Sequence, residues 1–478
     1  MVVGEISHQR NLIIIGGGPG GYSAAIRGAQ LGLSVTLIEQ KEIGGVCLNE
    51  GCIPSKVYTY VGMRRTEAEQ LAMFGVDTIV KEIDLYKLME YQTKVIGQLK
   101  TGVERLCQAN KVEIIQGKAS FIGKNKIGVE NGHQFDIYEF DKIIIATGSK
   151  NILPDYVKSK ENRILYPFEL FQLKKLPEQL IIDGQDYIAL EAASSFAALG
   201  SEVTLLIETN TGMPFDEDIN KELLRIFKKR KIKVIAKKEI LTIKETVNGI
   251  SINLLTDQQK EVILEGSYFV VPETRKPKLE ELGVLRLGMK LSLNGFIQIN
   301  NYMETSISNV YAIGDVTEGP MLAWKAIKQG KAVVSSIVGE KPEVDLTIVP
   351  NCAHTVPPVA SIGLTEHQAI KLGLSIRVSK FPLASNGYST ITGKKDGFIK
   401  VISNNTNDLI EGIHMIGEGA LEMSGSFVQL LEMSAKEEDI KFPNYTHPGF
   451  NEALLESVEG LLGQAIHLSP LKKEATIS

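Results

Sequence analysis

Apolar and polar positions along the chain fall into blocks whose period shifts between two and about 3.6, which predicts alternating strands and helices. Residues 12–15, Leu-Ile-Ile-Ile, are a short apolar run and read as a buried strand. The cluster GGGPGG follows directly. A helical pattern then runs from near Tyr22 through a series of alanines to about Leu31. Gly32 closes that helix, because glycine tolerates the left-handed conformation in which helices often end. Residues 34–38 return to a strand pattern that stops at Glu39, completing a strand–helix–strand unit within about 30 residues.

Residues 57–110 read as mainly helical, and 111–138 as short strands with turns at Gly117, Gly123 and Asn131-Gly132. Residues 142–146 form a buried-type strand running into Ala146-Thr147-Gly148, and a polar, proline-containing linker follows over 149–178. The opening pattern then recurs. Residues 180–182 read as a strand, 187–199 as a helix stopped by Gly200, and 201–207 as a strand ending at Glu208. The two units lie about 170 residues apart. Residues 219–265 alternate helix and strand, and 310–315, VYAIGD, is another strand ending at Gly-Asp. From about residue 345 strands at 359–363, 376–382, 397–402 and 409–416 alternate with helices at 365–372, 420–436 and 451–464, the texture of an α+β domain.

Composition narrows the picture by exclusion. The 478 residues allow about three domains at roughly 150 residues each. Lys and Arg number 52 against 57 Asp and Glu, for a net charge of −5, which argues against a nucleic-acid binder. No apolar run approaches the roughly 18 residues of a membrane span. The segment MVVGEISHQR lacks the apolar core of a secretory signal, so a cytoplasmic location is expected. Four cysteines, at 47, 52, 107 and 352, are too few for a disulfide framework in a chain of this length. No clustered partners complete a zinc set around them, so no metal is expected.

Two motifs carry chemistry. Gly16-x-Gly18-x-x-Gly21 sits between a strand and a helix, with Glu39 at the end of the next strand. Gly16 permits a tight turn, Gly18 lets a diphosphate approach the backbone, and Gly21 lets helix and strand pack closely. The helix start supplies amide donors, and Glu39 can accept from a ribose diol. The second motif is GGVCLNEGCIPSK, residues 44–56. Cys47 and Cys52 can close a small ring if the backbone bends between them. The spacing alone also permits two buried cysteines that never meet. Pro54 suits the first turn of a helix, and a cysteine at a helix start is the better thiolate.

GGVCLNEGCIPSK closely resembles the redox-active segment of the flavin-dependent pyridine nucleotide–disulfide oxidoreductases, and is most like that of their dihydrolipoamide dehydrogenase branch. Ala146-Thr147-Gly148, TSISNVYAIGD (305–315) continuing into GPMLAWKA, GLTEHQA (363–369), DGFIKVI (396–402) and THPGFNEAL near the end resemble other segments of that family, in order along the chain. The resemblance implies an α/β fold with two Rossmann-like dinucleotide-binding domains, for FAD and NAD, and a C-terminal α+β dimerisation domain. The corresponding bounds are 1–150 and 279–345 for the FAD-binding parts, 151–278 for the NAD-binding-like domain and 346–478 for dimerisation.

The resemblance also implies roles. Gly16, Gly18, Gly21 and Glu39 would hold the adenosine diphosphate half of FAD, with Thr147, Gly148 and Gly314 beside it and Asp315 on the ribityl chain. Cys52 would face the flavin as the charge-transfer thiolate, and Cys47 would meet the dithiol substrate. Lys56 would lie near the flavin and pair with Glu191. His447, oriented by Glu452, would be the acid–base catalyst, reaching the site of the other subunit of a homodimer. Gly184 and Glu208 would serve NAD. The implied substrate is lipoamide or a lipoyl-bearing carrier protein, as in a 2-oxoacid dehydrogenase-type complex. Histidine suits the task, because it titrates near neutral pH and a carboxylate can fix its tautomer. His447 precedes Pro448, which biases it to an extended conformation with a helix starting after it, so that Glu452 is expected on the second turn. The other histidines (8, 133, 354, 367, 414, 467), Cys107 and Cys352 read as structural or surface residues.

The second unit departs from the pattern. Its turn reads Gly184, Asp186, Ala189, so a carboxylate stands where a backbone should meet a diphosphate. Two like charges about 4 Å apart repel by about 1 to 4 kcal/mol. Thr274 replaces a glycine of the family pattern in Thr274-Arg275-Lys276-Pro277, and Trp324 stands where histidine is usual. Glu208 still suits the ribose of NAD. Three readings of function follow. The first is dihydrolipoamide oxidation with electrons passed to NAD. The second keeps the disulfide and flavin but delivers electrons to another carrier, such as a ferredoxin or a second flavoprotein. The third is a flavoprotein scaffold with little turnover.

Overall fold

Leu12 and Ile14 pack on one side of the first strand and Ile13 and Ile15 on the other, and all four are buried. A strand covered on both faces belongs inside a parallel sheet. The computed structural model, which describes residues 7–469 except 81, 210–211 and 343, places it there. The first six residues of the N-terminal segment discussed above lie outside the described residues.

In the first sheet Glu113–Gln116, Val35–Glu39, Ser7–Ile15 and Gln134–Ile145 run parallel, with Val310–Ala312 added beside the last. Lys126–Asn131 and Lys118–Phe121 extend the sheet antiparallel. The first strand starts at Ser7 rather than residue 12, because its longer partner Gln134–Ile145 pairs with the polar residues as well. The helix after it is Pro19–Gln30. Residues 57–110 resolve into Cys52–Gln70, a short 3₁₀ turn and Leu85–Ala109.

The second sheet repeats the plan. Lys233–Glu245, Glu202–Ile207, Gln179–Asp183, Tyr268–Val270 and Ile164–Leu165 are parallel, with Ile250–Thr256 and Glu261–Gly266 antiparallel at one edge. In both sheets the strand that precedes the glycine turn has its later neighbours on opposite sides. That is the switch point at which α/β sheets open a crevice. A two-stranded ladder, Ser149–Asn151 with Arg275–Pro277, joins the two units.

Helix Tyr187–Leu199 is buried along most of its length, every residue from Ile188 to Phe196 included. It packs on its own sheet and also on helix Cys52–Gln70 of the first unit. Thr59 and Ser195 hydrogen-bond across that contact at 2.8 Å. A Cβ on Gly62 would stand 3.1 Å from the Ala198 methyl, so a small residue is needed there. The third layer is an antiparallel sheet in the order Asn351–Ala353, Val359–Gly363, Ile410–Ile416, Phe398–Asn404, Ile376–Pro382, with helices Ala420–Glu432 and Glu452–Gly460 on it. Lys400, buried in that sheet, binds Asp216 at 2.8 Å and Asp218 at 2.7 Å from the second unit, and Glu366 at 2.6 Å. A buried ammonium needs such partners, so the cluster fixes how the two layers meet. Among the described residues no helix is long and apolar enough to cross a membrane, and no group of three or more His, Cys, Asp or Glu is placed to hold a metal.

Candidate active site

The first glycine turn is built by close contact. Gly16 has φ +107°, and a Cβ there would stand 2.3 Å from the Ala146 carbonyl oxygen. A Cβ on Gly21 would stand 1.8 Å from the oxygen of Gly16. Gly18 differs from both. Its backbone is extended (φ −70°, ψ −178°), and the nearest atom to a Cβ there would be Gly45 Cα at 3.9 Å. No side chain caps the helix that starts at Pro19. Its first amides are therefore open donors at the positive end of a helix dipole, which fits a diphosphate. Glu39 accepts from the Gly17 amide at 2.6 Å and the Lys41 amide at 2.7 Å, and it lines a cleft with Gly16, Gln40, Thr147 and Lys278. Gly148 and Gly314 have φ +72° and +73°. Asp315 follows, accepting from Ser149 Oγ at 2.8 Å and paired with Arg275 at 3.3 Å.

The cysteine segment rests on that turn. Gly44 (φ +99°) and Gly45 (φ +59°) lead into the short helix Gly45–Asn49, which carries Cys47. A Cβ on Gly45 would stand 2.8 Å from Gly18 Cα, so glycine is required for the two loops to touch. Cys52 opens the helix Cys52–Gln70, with Pro54 in its first turn. The two sulfurs meet as free thiols, the Cys47 thiol donating to Cys52. That hydrogen bond, with Lys56 nearby, holds Cys52 down to about 7 despite its burial. The same bond and burial push Cys47 far up. These directions favour the thiolate on Cys52, with the Cys47 thiol beside it.

Lys56 Nζ lies 2.7 Å from Glu191 Oε2, and Glu191 is 3% exposed. The other Glu191 oxygen accepts from the His354 amide at 2.8 Å. One carboxylate from the second unit therefore ties the cysteine helix to the third layer. His354 is half-buried close by, and burial and then Lys56 hold its imidazole below the usual range. Sequence reasoning read it as structural, and nothing in the local pattern placed it beside Lys56.

His447 and Glu452 form a separate pair. His447 Nδ1 is 2.7 Å from Glu452 Oε1, and the Gly449 amide donates to Glu452 Oε2 at 2.8 Å. Burial would lift the Glu452 carboxyl, but these two bonds outweigh it and hold the group below its ordinary range. Glu452 is the first residue of helix Glu452–Gly460, not a second-turn residue, because the chain stays non-helical through Asn451. The His447 side chain is 82% exposed, and none of its hydrogen bonds reaches the thiols of its own chain. A second pair adjoins it: His467 Nδ1 lies 2.6 Å from Glu456 Oε1, one helical turn after Glu452. The four-residue spacing of the two glutamates was the available signal for it.

In the second unit Gly184 has φ +142° and opens the turn. Asp186 takes the Gly18 position with nearly the same backbone (φ −71°, ψ 169°), and its Oδ1 accepts from the amides of Ile188 at 2.8 Å and Ala189 at 3.1 Å. The donors left open in the first turn are taken here by the chain itself. As it stands, this turn does not fit a diphosphate. Glu208 directly follows its strand, Glu202–Ile207, but its carboxylate is bound by Lys237 at 2.8 Å, and its amide donates to Gln185 Oε1 at 2.7 Å. Glu273, mostly buried, contacts the Arg275 guanidinium at 2.5 Å, and neither of its oxygens has a hydrogen-bond donor among the described residues. Burial lifts its carboxyl to about 7, with Asp186 and Asp315 adding to the effect. Thr274 contributes its carbonyl to the ladder between the units, accepting from the Ile152 amide.

Comparison with known proteins gives a consistent result. Residues 10–330 match the pyridine nucleotide-disulphide oxidoreductase family, and 349–458 match that family's dimerisation domain. The dihydrolipoyl dehydrogenase of Staphylococcus aureus is 35% identical over 98% of this chain and 100% of its own length. That of Geobacillus stearothermophilus is 34% identical over 98% and 99%. Among solved structures, LpdA from Mycobacterium tuberculosis superposes with a TM-score of 0.86 at 22% identity, over 94% of this chain and 99% of that one. The HOCl-induced flavoprotein disulfide reductase RclA from Escherichia coli gives 0.84 at 24%, over 94% and 99%. At these identities the structures speak for the fold alone.

Proposed function

The chain belongs to the pyridine nucleotide-disulphide oxidoreductase family, and from that premise we propose that it oxidises dihydrolipoyl groups through Cys47 and Cys52, using FAD, with NAD as the acceptor. The observation that carries this reading is the thiol pair itself. Cys52 is at a helix start, hydrogen-bonded by Cys47 and near Lys56, on a segment seated against an uncapped glycine turn.

Gly16, Gly18, Gly21 and Glu39 would hold the adenosine diphosphate half of FAD, Thr147, Gly148 and Gly314 would adjoin it, and Asp315 would hold the ribityl chain. FAD, when bound, supplies a two-electron acceptor for the reduced thiol pair. In the oxidised protein the two sulfurs share one disulfide bond. His447 takes the proton of one substrate thiol, and the resulting thiolate attacks Cys47. The disulfide breaks, and Cys52 leaves with the electron pair. The second substrate thiol then attacks the substrate sulfur held on Cys47 and gives its proton to the departing Cys47 sulfur. The substrate leaves as a disulfide. Cys47 ends as a thiol, Cys52 as a thiolate and His447 as an imidazolium carrying the added proton. Glu452 stabilises that imidazolium and fixes its ring. Lys56, held by Glu191, supplies positive charge beside the new thiolate.

The exposure of His447 and the matched dimerisation domain support a homodimer in which each His447 serves the thiols of the other subunit. A lipoyl-bearing carrier protein of a 2-oxoacid dehydrogenase-type complex is the substrate this reading favours, in the cytoplasm. Mixing the flavin-loaded protein with dihydrolipoamide without oxygen tests it. The expected result is a long-wavelength absorbance band followed by bleaching of the flavin. A spectrum with neither the long-wavelength band nor bleaching refutes the reading.

A further inference from the structure

We propose that Asp186 sets the affinity of the second unit for NAD(H), because its carboxylate occupies the helix-start amides that a dinucleotide diphosphate must reach. The inference rests on the function proposed above. In that reading NAD(H) binds only by displacing an internal anion from its donors.

The argument is geometric. Gly18 and Asp186 share one extended backbone conformation at equivalent points of two equivalent units, each before a helix of a dozen or so residues. Where the side chain is a hydrogen, the helix start is uncapped. Where it is a carboxylate, two amides are taken, at 2.8 and 3.1 Å. The second Asp186 oxygen folds back over the turn, 3.5 Å from where a Cβ on Gly184 would be. A further closure comes from Gln185, which binds the Glu208 amide on one side and the Gly212 carbonyl on the other. The Glu208 carboxylate is held by Lys237, which also binds Asp183 at 3.2 Å. These bonds lock the crevice in a self-satisfied state.

The charges facing the turn deepen the effect. Glu191 lies on the same helix, and Glu273 approaches from the segment after Tyr268–Val270. Arg275 is drawn off by Glu273 and Asp315. The diphosphate therefore meets the Asp186 carboxylate, with Glu191 and Glu273 nearby and countered in part by Lys56 and Arg275. Burial raises the Asp186 carboxyl, its two backbone bonds and a third to its own amide lower it, and Glu191 raises it further. The net direction is upward, so acid neutralises Asp186 sooner than a free aspartate. Glu273 loses charge near pH 7. Falling pH thus removes repulsion, and NAD(H) affinity rises as pH falls.

NAD⁺ titrated calorimetrically into the oxidised, flavin-loaded protein tests the proposal without turnover. Asp186→Gly should tighten binding at least fivefold, the equivalent of about 1 kcal/mol of released cap. The gain should grow at low salt, since part of it is charge repulsion. Asp186→Asn keeps a capping oxygen and loses the charge, so it should recover only part of the gain. The pH slope of affinity should flatten in Asp186→Gly and flatten further when Glu273→Gln is added. No gain in Asp186→Gly overturns the proposal, and equal gains in the Gly and Asn variants overturn its capping half. Failure of the wider functional reading is visible separately, as an unmodified protein whose flavin dihydrolipoamide does not bleach.

Discussion

The two glycine turns of this protein are one backbone used in two ways. Each follows the strand at a switch point, each opens on a left-handed glycine, and each presents an extended residue before a helix. The first leaves its amides unpaired and the second pairs them with Asp186. A helix start is an anion site only while its donors are free, and a single side chain removes it without moving the chain. Motif spacing and fold therefore say where a diphosphate can bind, and the capping residue says whether the donors are available.

Exchanging the two side chains breaks the comparison most directly. Within the chain, Gly18→Asp meets no steric obstacle, since a Cβ there would only touch Gly45 Cα at 3.9 Å, so the fold itself should stand and the effect falls on the diphosphate. It should cap the first helix and lower FAD retention by more than about tenfold, from repulsion plus a blocked donor set. The flavin-to-protein ratio after gel filtration measures this. A variant that purifies with full flavin content would mean that capping is not what separates the turns.

The next test divides the reaction between the units. His447→Gln should slow dithiol-driven flavin reduction at least about 100-fold, the lower range for lost acid–base catalysis. FAD content should be unchanged, because His447 lies outside the segments proposed to hold FAD and its side chain bonds to Glu452. Stopped-flow mixing with dihydrolipoamide gives the rate, and a native rate would remove the base assignment.

A smaller effect concerns the charge at the thiols. Cys52 is held down to about 7, so its thiolate is present above that pH and is lost as pH falls through it. Lys56 favours the thiolate, and Lys56→Met should move the titration of the long-wavelength band upward. At pH 7 the band should fall below half of its native height. A titration that stays in place would mean that the Cys47 hydrogen bond alone sets Cys52. The smallest effect is on stability. Asp186→Ala should cost about 0.5 to 2 kcal/mol through loss of the cap, and Asp186→Asn should restore most of it. Urea unfolding of the two variants decides this, and equal losses would mean that the cap does not hold the helix.

Much of this was legible along the chain, for identifiable reasons. The helix Tyr187–Leu199 was read to the residue, because Gly200 stops a strongly apolar run. The glycine turns and the cysteine segment announced themselves, since tight contacts at Gly16, Gly21 and Gly45 permit no other residue. Asp186 was visible as a departure, and aspartate before a helix is a known capping residue. The strand residues Ser7 to Asn11 were not legible, because they are polar and their partners, in the backbone ladder and in side-chain bonds such as Ser7 and Gln9 to Glu139, lie more than 100 residues away. His354 and Glu273 stayed hidden for a related reason. Each gains its meaning from partners more than 80 residues away, Glu191 and Asp186 respectively. His467 was passed over because its glutamate lies upstream on a helix whose extent only the fold defines.

Glu191 carries a consequence for how such a chain can change over evolutionary time. It sits on the very helix whose start Asp186 has closed, yet its carboxylate leaves that unit to hold Lys56 and the His354 amide. Selection on the thiol chemistry therefore preserves the second unit even where selection for nucleotide binding is relaxed. A lineage can retune or silence that turn by single substitutions, but a deletion of the unit would strand a lysine beside the reactive sulfurs.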